Sequence, residues 1–183
     1  MRQLALGTVL MAAIVAGAGS ASASTAAVSD TQIEKQVVHE ILMYPRYTIW
    51  DNIALRVHEG NVEVTGVVSQ PYKKEDVTRL VKNVPGVASV TNDLKVLPLS
   101  PFDDELRIRV ARAIYGDPML TSYAIQPRGP IHIIVNNGQV TLEGMVSRQM
   151  DKQIAGLRAN NAGLSFGPVV NNLEVEKPTP HKG

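Results

Sequence analysis

The chain contains no cysteine. Disulfide stapling and thiol chemistry are therefore excluded, as is a lipid anchor built on a processed cysteine. Charge of one sign is not in excess either: 18 basic residues face 17 acidic ones. Residues 30–98 carry eight basic and nine acidic side chains, and residues 102–177 carry eight of each. Neither stretch has the basic surplus that neutralising a phosphate backbone requires, which argues against nucleic acid as a partner. Aromatic residues make up only 4% of the chain. No apolar run reaches the roughly 20 residues of a spanning helix; the longest, Leu4 to Ala18, falls short.

Catalytic signatures are also missing. The four histidines, His39, His58, His132 and His181, show no metal-ligand spacing. His58 and His132 alternate outward on strands, and solvent-facing roles are expected for them. No Gly-x-Ser-x-Gly elbow or phosphate-cradling glycine loop follows residue 23. The carboxylate groups Glu75-Asp76 and Asp103-Asp104-Glu105 fall in first turns of helices, where negative charge complements the helix dipole. No enzyme, cofactor, metal site or small-molecule substrate is expected.

What is present begins with an export signal. Arg2, the uncharged run Leu4–Ala18 and the small-x-small step Ala21-Ser22-Ala23 read as a signal peptide over residues 1–23, cleaved before Ser24. A periplasmic or secreted protein is expected. Ser24 to Ser29 reads as a flexible lead-in.

The rest is a repeat. Gly60-Asn61-Val62-Glu63-Val64-Thr65-Gly66-Val67-Val68-Ser69 recurs as Gly138-Gln139-Val140-Thr141-Leu142-Glu143-Gly144-Met145-Val146-Ser147. Before each copy stands an amphipathic helix: Ile33, Val37 and Ile41 in the first, Leu106, Val110 and Ile114 in the second. Asp30 or Thr31 is the expected cap of one, Asp103 or Asp104 of the other. A hairpin follows, with Ile53, Leu55 and Val57 or Ile131, Ile133 and Val135 on the buried face. It turns at Glu59-Gly60 or at Asn137-Gly138, the latter a strong hairpin signal. Gly66 and Gly144 interrupt their strands, and a helix is expected to cross over each. Ser69 and Ser147 then cap a second helix. A closing strand carries Asn92-x-Leu94-x-Val96 or Asn171-x-Leu173-x-Val175. Asn92 and Asn171 fall inward, and each is expected to tie down a neighbouring backbone group.

The expected fold is α+β: two tandem αββαβ modules over 30–98 and 102–177, each a three-stranded mixed sheet with two helices on one face. The short linker Leu97-Pro98-Leu99-Ser100-Pro101 should keep the modules close, and residues 178–183 read as a disordered tail. Tyr47, Trp50 and Tyr123 are expected to pack at the helix–sheet junctions, with a headgroup contact as the sharper alternative. Gln126 to Pro130 is an insertion of about five residues in the second copy, expected as a surface loop.

These residues together resemble the BON-domain family, named in part for the osmotically induced periplasmic protein OsmY. The glycines 60, 66, 138 and 144, the Pro85-Gly86-Val87 step and the two closing strands carry the resemblance. The second copy departs at Gly163 to Pro168. The resemblance implies a non-catalytic envelope role, with phospholipid association and osmotic or barrier stress as its setting. It supplies no set of ligand-binding residues.

The second helix of the second copy is anomalous. Counted from the two serines, Val77, Val81 and Val84 become Ala155, Ala159 and Ala162, and Leu80 becomes Arg158. In that register Met150, Ile154 and Leu157 form an exposed apolar stripe beside Arg148, Lys152 and Arg158, a candidate surface for lipid or a partner. A one-residue slip would rotate the helix by about 100° and bury the stripe. The slip is the favoured reading, because it also aligns Gly163 with Gly86. The expected function is a non-enzymatic envelope module bound to phospholipid headgroups or envelope proteins. The alternative is a soluble periplasmic holdase or peptide-binding factor that uses the stripe or an open sheet edge.

Overall fold

The structure, a computed structural model, describes residues 28–163 and 165–177. The segments expected to be a signal peptide, most of the lead-in and the tail lie outside the described residues. Module 1 runs α1 (Asp30–Met43), β1 (Asn52–His58), β2 (Asn61–Val68), α2 (Pro71–Lys82), β3 (Ser89–Asn92) and β4 (Lys95–Val96). Module 2 runs α3 (Pro101–Tyr115), a 3-10 turn (Pro118–Leu120), α4 (Thr121–Ala124), β5 (Ile131–Asn136), β6 (Gln139–Val146), α5 (Gln149–Asn161), β7 (Val170–Asn171) and β8 (Glu174–Val175). In each sheet the hairpin is antiparallel and the last strand runs parallel to its centre. That last strand is interrupted, so β3 and β4 both pair with β2, and β7 and β8 both pair with β6. The interruption is made by the asparagines. Asn92 Nδ2 donates to Lys74 O at 2.8 Å, and its Oδ1 accepts from Leu94 N at 3.0 Å. Asn171 does the same with Lys152 O and Leu173 N.

Two hydrophobic cores form, one per module, centred on Val64, Val77 and Val81 and on Ile133, Leu142 and Val110. Both hairpins turn with positive φ at two successive residues, Glu59-Gly60 and Asn137-Gly138.

Several expectations are corrected. The caps are Ser29 and Ser100, not Asp30 or Asp103. Ser29 forms a full capping box with Gln32. Asp30 and Asp103 are thereby freed to reach the hairpin turns: Asp30 accepts from Glu59 N and Gly60 N, and Asp103 from Asn137 N and Gly138 N. The second helices begin after Gln70 and Arg148, neither with a side-chain cap, because Ser69 is drawn instead to Asp51. No helix explains Gly66 and Gly144. Their φ values are +113° and +110°, and a Cβ there would lie 2.2 Å from Asn52 O or 2.0 Å from Pro130 O. Close approach of the preceding strand's start is the cause.

The modules meet through the α1–β1 connection. Ile49 O accepts from Ile133 N at 2.7 Å, and Ile49 and Trp50 pack against the core of module 2. Trp50 thus serves the neighbouring module and not the junction of its own. Tyr47 lies 5.7 Å from the His132 ring, centroid to centroid. His132 is consequently half-buried and not solvent-facing. The 126–130 insertion is exposed at its start but half-buried from Arg128 to Pro130, where a Cβ on Gly129 would meet Tyr115 and Ile49.

Candidate functional site

The favoured slip of α5 does not occur. Asn171 holds Lys152 O as Asn92 holds Lys74 O, so the register counted from Ser69 and Ser147 stands. Ala155, Gly156 and Ala159 face inward with Asp151. A Cβ on Gly156 would sit 2.6 Å from Asn171 Nδ2, so the helix packs closely at that point. Small residues suffice inward because Leu120 and Tyr123, from the 118–124 segment, complete the core. The stripe therefore faces out. Met150 is 56% exposed and Leu157 58%, while Ile154 is partly buried against the core.

The structure brings the three apolar residues together and disperses the basic ones. Arg148 pairs with Asp151 at 2.9 Å. Arg158 pairs with Asp117. Lys152 lies about 160° round the helix from Met150 at 100° per residue. Both arginine side chains remain half-exposed or more, at 61% and 49%, and border the stripe.

The corresponding face of module 1 is different. Tyr72, Asp76 and Arg79 stand where Met150, Ile154 and Leu157 stand in module 2. Arg79 pairs with Asp76 at 2.7 Å, Arg46 approaches the same carboxylate at 3.8 Å, and the Arg46 guanidinium lies over the Tyr72 ring. A solvated, ion-paired face in one copy has become an apolar one in the other.

Beneath these faces lie two buried polar clusters that sequence reasoning missed. Asp51, fully buried, accepts from Ser69 N and Oγ, from Thr48 N and Oγ1, and from Lys73 Nζ at 2.6 Å. In module 2 Tyr123 Oη donates to Asp151 at 2.6 Å and accepts from Ser147 N. Burial pushes the Asp151 carboxyl up, but the hydrogen bonds from Arg148 and Tyr123 outweigh it and hold the group below its usual range. Every charge in these clusters is met by a partner, and Asp51, Lys73 and Asp151 are themselves buried. Each ties the start of its module's second helix to the segment before the hairpin. The only available signal was that the residue four after each repeat serine is charged, Lys73 and Asp151.

Among the described residues no three His, Asp or Glu side chains gather to hold a metal ion, and no helix is long and apolar enough to cross a membrane. A crevice of about 540 Å³ between α1 and α2 is lined by Lys35, His39, Glu40, Leu80 and Val84 among others. Its counterpart in module 2, about 330 Å³, is lined by Arg112, Asp117 and Arg158.

Two αββαβ units of this topology, each closed on its own core, define a tandem-repeat α+β protein. A family model of the BON domain matches the chain twice, over residues 29–98 and 103–177. The chain belongs to the BON-domain family, which is generally non-catalytic and occurs in periplasmic or exported proteins. No curated protein matches the chain. Among solved structures it is similar to the C-terminal domain of CdsD, described as the structural protein of the Type III secretion system of Chlamydia trachomatis. Identity is 13%, coverage 81% of this chain and 67% of that one, and the TM-score 0.31. A second structure of CdsD gives 13% identity, coverage of 79% and 92%, and a TM-score of 0.28. At those scores the likeness supports no functional conclusion.

Proposed function

We propose that the protein is a non-enzymatic envelope module that lays the outer face of α5 on a phospholipid surface or an envelope protein, in barrier maintenance under stress. One observation carries this reading: Met150 and Leu157 are more than half exposed at positions that module 1 fills with Tyr72 and Arg79. Leaving two large apolar side chains more than half wet forgoes roughly half of the 1.5–3 kcal/mol that full burial of each would contribute, which contact with acyl chains or a partner would recover. Arg148 and Arg158 at the border suit anionic headgroups, but both already have carboxylate partners. Binding driven mainly by apolar insertion, and only modestly weakened by salt, is the expected pattern.

Cosedimentation with anionic and with neutral vesicles tests it. Binding should fall with Met150→Glu and Leu157→Glu and persist with Tyr72→Glu. Equal binding by all variants would remove α5 as the contact. Suppression of client aggregation without vesicle binding would favour the holdase reading, which the same apolar face also supports.

A further inference from the structure

The two hairpins have unlike outer edges. In module 2 the edge of β5 is closed. Ile131 O accepts from Tyr115 Oη at 2.7 Å, Val135 O from Arg107 at 2.8 Å, and Ile133 N donates to Ile49 O at 2.7 Å. Ile131, Ile133 and Val135 are fully buried as a result.

In module 1 the equivalent backbone groups belong to Ile53, Leu55 and Val57, paired across the hairpin with Gly66, Val64 and Val62 as their counterparts are with Gly144, Leu142 and Val140. The donors are gone. Leu42 stands where Tyr115 stands, and Glu34 where Arg107 stands; neither side chain can donate a hydrogen bond to a carbonyl as those do. No segment plays the part of Ile49 among the described residues, and Ile53, Leu55 and Val57 are only half-buried. The rim is apolar, with Val38 39% and Leu42 41% exposed. An open, apolar strand edge is a template for pairing.

The filled edge shows what fits the empty one. The connection between the first helix and the hairpin of one module docks on the hairpin edge of the next. Module 2 has such a connection: Leu120 and Tyr123 anchor it in their own core, and Ile125 beside them is left 79% exposed. We propose that the α3–β5 connection of one copy of this chain docks on the β1 edge of a second copy, so that copies join head to tail by repeating the contact already made between modules. Such a heterologous contact generates a ring or an open filament, according to whether the rotation closes. This assembly is independent of the α5 face.

Sedimentation of the chain from Ser24, which contains every described residue, tests the proposal. Mass should rise with concentration beyond a dimer. Ile125→Asp and Leu42→Asp alter exposed positions, and each alone should abolish assembly. Mixed in equal amounts they should stop at a dimer, because only one sound edge meets one sound connection. Amide exchange gives a second reading. Ile133 is protected at all concentrations, whereas Leu55 gains roughly tenfold protection only on assembly. A chain that stays monomeric at millimolar concentration overturns the proposal. So does a symmetric dimer indifferent to both substitutions, or a Leu55 amide protected by an added extended peptide but not by a second copy.

Discussion

Asp51 and Tyr123 do the same work in their modules with opposite chemistry. Each accepts the backbone N–H of the repeat serine, Ser69 at 2.7 Å and Ser147 at 2.8 Å. Each also binds the residue four positions further on. Asp51 is the acceptor for Lys73, and Tyr123 is the donor to Asp151. Donor and acceptor have exchanged places between the copies while the geometry stayed. A lysine facing a tyrosine would leave a buried charge without its counterpart.

That pairing yields a stability prediction. Lys73→Met strands the Asp51 carboxylate in a fully buried site, and loss of one partner of a buried ion pair costs about 3–5 kcal/mol. The double variant Asp51→Tyr with Lys73→Asp, which installs the Tyr123–Asp151 hydrogen bond of module 2 without the Arg148 partner, should recover part of that loss. Urea unfolding of both variants checks it. A double variant no more stable than Lys73→Met would show that the clusters are not interchangeable.

The alanine face of α5 yields another. Val81 and Ala159 occupy equivalent, buried positions, but Leu120 and Tyr123 already fill the core that Ala159 faces. Ala159→Val should therefore destabilise through overpacking by about 1–3 kcal/mol. Thermal unfolding provides the measurement.

Gly66 and Gly144 should tolerate no side chain. The φ is positive at both, and an added methyl carbon would stand 2.2 Å or 2.0 Å from a backbone oxygen. Gly66→Ala and Gly144→Ala should therefore destabilise, by more than the roughly 0.4–1 kcal/mol that the same change gains at a compatible backbone position. Soluble yield and denaturation midpoints of the two variants read this directly.

The seam between modules should loosen in acid. Burial pushes the His132 imidazole below its ordinary value of 6.5, only partly opposed by the Asp51 and Thr48 backbones and by the charges of Asp51 and Glu143, and Nδ1 has no hydrogen-bond partner among the described residues. With the folded value depressed, the unfolded chain takes up a proton first. The stabilisation is present above about 6.5 and is lost as pH falls through that value toward the folded one. His132→Phe should flatten the pH dependence of stability below neutrality. Unfolding midpoints followed from about pH 7 down to about pH 5, the range in which histidine ordinarily titrates, measure the effect.

How much is legible in the sequence differs by residue. The turn glycines, the alternating valines and the inward asparagines are local signals with local causes, and each element they mark is present. The helix caps are not legible, because Asp30 and Asp103 are good caps in isolation; only a turn distant in sequence reveals why they bond elsewhere. The register of α5 is hidden for a related reason. An alanine face looks underpacked until the 118–124 segment is seen to complete the same core, and nothing in the helix itself announces that.

Sequence alone determined the repeat and the αββαβ order, because periodicity and turn chemistry act over a few residues. Tertiary structure decided which faces stay wet, which hairpin edge is closed and which charges meet. Those outcomes depend on side chains brought together from segments far apart along the chain, as Ile49 is with Ile133, a separation over which no local pattern carries information.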